Sequence, residues 1–278
     1  MADERKLRTQ SEVSFARYLD EFGYEWDYEP QIPEKNKRPD FRVRRHGVEC
    51  LLDAKERAPK SPPPEARFID PIKGVRKLIE SGCDTFSEFG EFLCAVVLQN
   101  TGDCQTCLNP WSIFGAMLGY PGITAEFDAE AGIVDIESAR NVFLERGGKM
   151  ISHYVPLEPR ESTKNISAIV IPSLYSVPNP AFDRVVKDEI EQRERDLGRI
   201  LSAEERAAIR WDAGQSDSPI LKKVSRVVVC TNPFARYPLP DNIFDDPYDE
   251  RWALNDDVLE RVFAGSQLAN VKADPFRQ

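Results

Sequence analysis

The sequence predicts a mixed α/β domain built on a central sheet, and three observations lead there. Three short apolar runs read as strands: FLCAVVLQ at 92–99 fits one buried on both faces, ISAIVI at 166–171 is another buried candidate, and SRVVVCT at 225–231 is a last apolar strand. Helix-period segments lie between the strand candidates. The resulting order is helix, three strands, helix, strand, insertion, strand, helices, strand.

Each element has its own signal. Residues 11–22, SEVSFARYLDEF, place Phe15, Ala16, Leu19 and Phe22 on one helical stripe, with Gly23 as a stop. Glu12 lies at the start of that stripe, where a carboxylate is unusual. It reads either as a site residue or as a first-turn acid favoured by the helix dipole. Residues 24–32 alternate as a strand, and 40–45 and 48–55 read as two more, joined at His46-Gly47. After a Pro-rich loop (Pro59, Pro62, Pro63, Pro64) comes a helix near 69–81, ended by Gly82. Residues 101–163 lack strong periodicity and read as a loop-rich insertion with hairpins and a helix near 137–146. A charged helical pair follows the 166–171 strand, its second helix opened by a Ser202/Glu205 capping box. The tail, rich in Pro, Asp and aromatics, is expected to wrap the surface. There is no internal repeat and no low-complexity tract.

This gives one domain over 1–278. Its core covers about 8–100, 165–172 and 224–232; the insertions are 101–163 (loop-rich) and 180–215 (helical), and the tail is 233–278. Hydrophobic residues make up 41%, enough for a packed core. No apolar run approaches the roughly 20 residues that cross a membrane. The opening MADERKLRTQ lacks the apolar stretch of a signal peptide. A soluble, cytoplasmic protein without a membrane partner is therefore expected.

Six cysteines are present: Cys50, Cys83, Cys94, Cys104, Cys107 and Cys230. Most sit in apolar segments and read as buried reduced thiols. Cys104 and Cys107 form a lone CxxC, and the chain has only His46 and His153 to complete a zinc site that needs about four ligands. A zinc or redox role for this pair is the weakest reading, and metal analysis would decide it.

The net charge of −10 argues against a protein that coats nucleic acid, but not against a nuclease, whose site needs carboxylates. The local balance differs. Residues 34–60 hold nine Lys or Arg (Lys35, Lys37, Arg38, Arg42, Arg44, Arg45, Lys55, Arg57, Lys60) and five acids (Glu34, Asp40, Glu49, Asp53, Glu56).

A two-residue turn at His46-Gly47 makes paired positions sum to 93. Val48 then meets Arg45, Cys50 meets Val43 and Leu52 meets Phe41 on a core face. On the other face Arg44 meets Glu49, Arg42 meets Leu51, and Asp40 meets Asp53. Two carboxylates directly opposite in a sheet repel, and burial raises one pKa strongly unless a cation shares the site. Mg²⁺ resolves the conflict, since it binds through one or two carboxylates and keeps several waters. Lys55, two residues beyond Asp53, lies on the same face. Its ammonium can orient an attacking water or stabilise charge on a scissile phosphate. The plainer alternative has Asp40 capping a turn after Pro39, with Asp53 and Lys55 as solvent-facing strand residues in an exposed pair.

These residues resemble the PD-(D/E)XK nuclease superfamily. The motif reads Pro39-Asp40, twelve intervening residues, then Asp53-Ala54-Lys55, with Glu12 matching an acid often found on the family's first helix. The resemblance covers roughly residues 8–100. It implies a restriction-endonuclease-like fold: a mixed central sheet flanked by helices. It also implies Mg²⁺ (or Mn²⁺) ligation by Asp40, Asp53 and the Ala54 carbonyl, Glu12 as a direct or outer ligand, and Lys55 as the catalytic lysine. Asp at the second acid position, where Glu is commoner, is within the family pattern. Gln99, at the end of the next strand, stays outside the assignment. The expected activity is metal-dependent hydrolysis of DNA, with RNA open as a substrate and a homodimer or protein partner open as an assembly. A catalytically inactive nuclease-fold module that binds nucleic acid or protein is the competing reading.

Overall fold

The structure, a computed structural model, describes residues 7–57, 71–101, 108–118, 122–128, 132–139, 143–146, 149–152, 161–178, 180–214, 221–255, 258–269, 271 and 273. The elements run α1 (Gln10–Glu21), β1 (Glu25–Tyr28), β2 (Phe41–Arg45), β3 (Val48–Arg57), α2 (Pro71–Thr85), β4 (Cys94–Asn100), α3 (Pro110–Leu118), β5 (Gly122–Asp128), β6 (Gly132–Ala139), β7 (Phe143–Arg146), β8 (Lys149–Ser152), α4 (Glu161–Lys164), β9 (Ile166–Pro178), α5 (Pro180–Leu197), α6 (Ala203–Gly214), β10 (Leu221–Thr231), β11 (Glu250–Asn255) and β12 (Val258–Ala264).

The fold is mixed α/β. Its main sheet has eight strands in the order β1-β2-β3-β4-β9-β10-β11-β12. The β1/β2, β2/β3 and β11/β12 pairs are antiparallel, whereas β3/β4, β4/β9 and β10/β11 are parallel. The helical connection through α2 makes the parallel β3/β4 pairing possible, because a tight turn cannot reverse the chain twice.

Strand residues alternate between two apolar layers, as the period of two requires. Leu51, Val96, Leu98, Ile169 and Val228 pack with α2 and α3, through Val75, Ile79, Ile113 and Phe114. Leu52, Val97, Val170 and Val229 pack with α1, through Phe15 and Leu19. The middle strand β4 is closed on both faces, with Cys94 to Leu98 all fully buried. That burial explains its continuous apolar run.

Three segments differ from the sequence expectation. The helix expected to stop at Gly82 continues to Thr85. Gly82 is there for contact: a Cβ on it would lie 2.4 Å from Val96 Cγ2. Of the segment near 137–146, the described residues 137–139 end β6 and 143–146 form β7, in the hairpins β5/β6 and β7/β8, in place of a helix. Ladder pairing with 122–128 and 149–152 overrides the local helical pattern. The tail does not wrap the surface. It adds β11 and β12 to the sheet and buries Ile243, Phe244 and Trp252 in the two layers.

Contacts divide the chain into two compact units. One comprises Met1–Ser173 with Arg226–Gln278, and the other Leu174–Ser225. Within the second, α5 and α6 form a hairpin tied by Arg206–Glu194 (2.8 Å). The Ser202/Glu205 capping box is present: Glu205 N donates to Ser202 Oγ (3.2 Å) and Ser202 N to Glu205 Oε2 (2.8 Å). Cys50, Cys83, Cys94 and Cys230 are buried and unbridged. Cys104, Cys107, His153, Lys60 and the Pro-rich loop lie outside the described residues. Among the described residues no helix is long and apolar enough to cross a membrane.

Candidate functional site

The β2/β3 hairpin sets the geometry. His46 (φ +51°) and Gly47 (φ +77°) both adopt the left-handed conformation that a two-residue turn demands of its central pair. Paired positions sum to 93, from Arg45↔Val48 to Phe41↔Leu52. Phe41, Val43, Cys50 and Leu52 are fully buried on one face. On the other, Arg44 Nε donates to Glu49 Oε2 (2.7 Å).

β2 begins at Phe41, so β3 from Asp53 to Arg57 has β4 on one side and no ladder partner from β2 on the other. Asp40 stands at this notch. Its Oδ2 accepts a hydrogen bond from Ala54 N at 2.7 Å, capping the backbone where the ladder ends. The carboxyl of Asp40 lies well above the usual carboxylate range. Burial is the main cause, followed by the charge of Asp53, and the Ala54 N–H opposes both. A hydrogen bond to Asp53, which only a protonated acid can make, and the charge of Glu12 raise it further.

Asp53 points into the α2/α3 layer beside Leu51 and Val96 and is only 3% exposed. Lys55 Nζ lies 2.7 Å from Asp53 Oδ2. The contact is an ion pair without hydrogen-bond alignment, because Oδ2 is fully buried and has no hydrogen-bond partner. With a second acid beside it, this carboxylate sits in a surplus of negative charge that a further cation would relieve.

Glu12 comes from α1, on the opposite face of the sheet, and is also buried. Its local role is a capping box: Thr9 Oγ1 accepts from Glu12 N (3.2 Å) and Glu12 Oε2 accepts from Thr9 N (3.0 Å). The same oxygen accepts from Arg8 N and, at 3.1 Å, from Tyr28 Oη. Glu12 therefore lies close enough to act on Asp40 by charge, while its Oε2 is committed to the helix start. Tyr28 was missed in the sequence. The Thr9-x-x-Glu12 spacing was the legible sign of the cap.

Gln99 turns to the α1 face, where Nε2 donates to Ser14 Oγ (3.1 Å). Nearby, Glu56 Oε2 accepts from Ser11 N (3.0 Å). These bonds moor the start of α1 to the ends of β3 and β4 but do not enter the Asp53/Lys55 face.

The basic excess of 34–60 is largely neutralised by acids from elsewhere in the chain. Arg42 pairs with Asp27 (2.8 Å), Arg45 with Asp246 (2.7 Å), Lys35 with Glu91, and Arg38 with Glu29 (3.9 Å). Lys37 Nζ donates to Asp84 O and Ser87 Oγ. The site thus has Asp53 within reach of both Asp40 and Lys55, with Glu12 near enough to act on Asp40 by charge. Among the described residues no three His, Cys, Asp or Glu side chains converge closely enough to hold a metal. Two carboxylates are the protein share of a typical Mg²⁺ site, so Asp40 and Asp53 still suit that ion. Compared with known proteins, the chain matches no family model, no curated protein and no solved structure.

Proposed function

We propose that this chain is a Mg²⁺-dependent nuclease of PD-(D/E)XK type, with a restriction-endonuclease-like core, acting on DNA. One observation carries the reading: the half-buried Asp40 and the buried Asp53 meet at a sheet notch, where Lys55 holds Asp53 Oδ2 only as an ion pair. Asp40, Asp53 and the Ala54 carbonyl would hold the ion, with Glu12 behind them. Bound there, Mg²⁺ (or Mn²⁺) would supply Lewis acidity toward a phosphate and a more acidic water. The residues themselves do the rest. Asp40 would serve as a carboxylate there, and Lys55 would direct its ammonium at charge developing on a phosphate oxygen. The Ala54 N–H keeps the Asp40 carboxylate in register with β3.

The test is incubation of the purified protein with linear, circular and single-stranded DNA, in Mg²⁺, Mn²⁺ or chelator. Metal-dependent cleavage that Lys55→Ala abolishes is expected. No cleavage by the wild type, or equal cleavage by Lys55→Ala, would overturn it.

A catalytically inactive nuclease-fold module is the second reading. The closed Lys55–Asp53 ion pair and the commitment of Glu12 Oε2 to its cap favour it. Absence of heat from Mg²⁺ or Mn²⁺ titration, together with DNA or protein binding, would select it.

A further inference from the structure

A second pair of buried acids lies apart from the candidate site. Asp246 and Asp249, on the segment before β11, are enclosed with Tyr18 of α1, Tyr24 and Arg45 of β2. Arg45 forks onto Asp246, with Nη1 to Oδ2 at 2.7 Å and Nη2 to Oδ1 at 2.9 Å. Among the described residues Asp249 pairs with no guanidinium. Its Oδ1 accepts from Val227 N of β10 (2.8 Å) and its Oδ2 from Asp246 N (3.0 Å). Arg251 of β11 faces this region too, beside Asp241 and Asp245. Its Nη atoms are taken by the carbonyls of Leu239, Pro240 and Ile243 and by Asp241 Oδ1.

Counting hydrogens exposes a deficit. Tyr24 Oη accepts from Phe244 N (3.0 Å), and its own hydrogen goes to Asp246 Oδ2 (3.0 Å). Tyr18 Oη lies 2.5 Å from Asp249 Oδ2 and 3.0 Å from Asp246 Oδ2, and has one hydrogen for both. With both acids ionised, one close oxygen pair is left without a hydrogen in a buried site, which is costly. One added proton on Asp249 Oδ2 gives each tyrosine–carboxylate contact its own hydrogen: Asp249 donates to Tyr18, Tyr18 to Asp246, and Tyr24 to Asp246, leaving only the long Tyr18–Tyr24 oxygen contact (3.4 Å) without one. We infer that Asp249 holds a proton in the native protein, and that the chain Asp249–Tyr18–Asp246 latches the segment 239–249 onto α1. Burial, the largest cause, agrees, pushing Asp249 up to about 7 against the hydrogen bonds from Tyr18 and the Val227 N–H. Rising pH hands this proton to solvent, breaks the chain at its shortest link, and loosens the tail from the helix that carries Glu12.

The test uses the full chain in chelator, with urea unfolding followed from pH 5 to 9. One proton taken up on folding changes the unfolding equilibrium tenfold per pH unit. The wild type should therefore lose stability between pH 5 and 7 by one decade per unit more than Asp249→Asn does. Asp40 contributes equally to both proteins and drops out of the difference. Equal slopes would overturn the latch. If Asp249→Asn does not fold, ¹³C-carboxyl titration of the wild type decides. A midpoint for Asp249 near the ordinary value of about 4 would overturn it, and one far above supports it.

Discussion

Asp40→Asn tests the charge conflict at the sheet notch. In the folded wild type, Asp40 sits above the ordinary carboxylate range because of burial first and Asp53 second. A raised folded-state pKa means that stability is full below the unfolded value near 4 and declines as pH rises through the raised one. Two carboxylates in contact repel by about 4 kcal/mol at an effective dielectric near 20. Lys55, 2.7 Å from Asp53, offsets roughly half, leaving about 2 kcal/mol against the ionised wild type. An asparagine keeps an oxygen for the Ala54 N–H and turns an amide toward Asp53. Asp40→Asn should therefore melt about 4 °C higher than wild type at pH 8 in chelator, at roughly 2 °C per kcal/mol for a chain of this size. The gap should close as pH falls to 5. Mg²⁺ should reverse the ranking: at about 100 times Kd a bound ion would add ~2.7 kcal/mol to the wild type and nothing to the variant. Differential scanning calorimetry at both pH values, with and without Mg²⁺, reads all four quantities. A variant that melts below wild type in chelator at pH 8, or that gains from Mg²⁺ as much as wild type does, refutes the reasoning.

Other perturbations separate site from scaffold. Lys55→Ala should lower DNA cleavage by at least about 100-fold while retaining the Mg²⁺-induced rise in melting temperature; loss of that rise would place Lys55 among the groups that hold the ion. Gly82→Ala should cost about 1–3 kcal/mol in urea unfolding, since its Cβ meets the buried Val96. Adding Val96→Ala should make the second change cost less than it does alone, and strict additivity would show that the two sites do not touch. Thr9→Ala should cost about 1 kcal/mol by removing the cap hydrogen bond to Glu12 N; a neutral change would mean that the box adds nothing to α1.

The parts of this protein legible in its sequence depend on neighbours a few residues apart. A two-residue turn and a side-chain period of two are enough to set the register of the 41–52 hairpin, and hence to bring Asp40, Asp53 and Lys55 to one place. The same holds for the buried run of β4 and the cap of α6. Tertiary structure decided the rest, because those features join residues that no local pattern connects. Arg45 finds Asp246 from 201 positions away, which removes a charge the local balance had counted as free. The tail enters the sheet because β10 offers it a parallel partner. Asp40 reaches the Ala54 N–H because the β2 ladder ends at Leu52 and leaves β3 unpaired by β2 from Asp53 onward, and a sheet edge is a property of which strands pair, set by packing across the whole core.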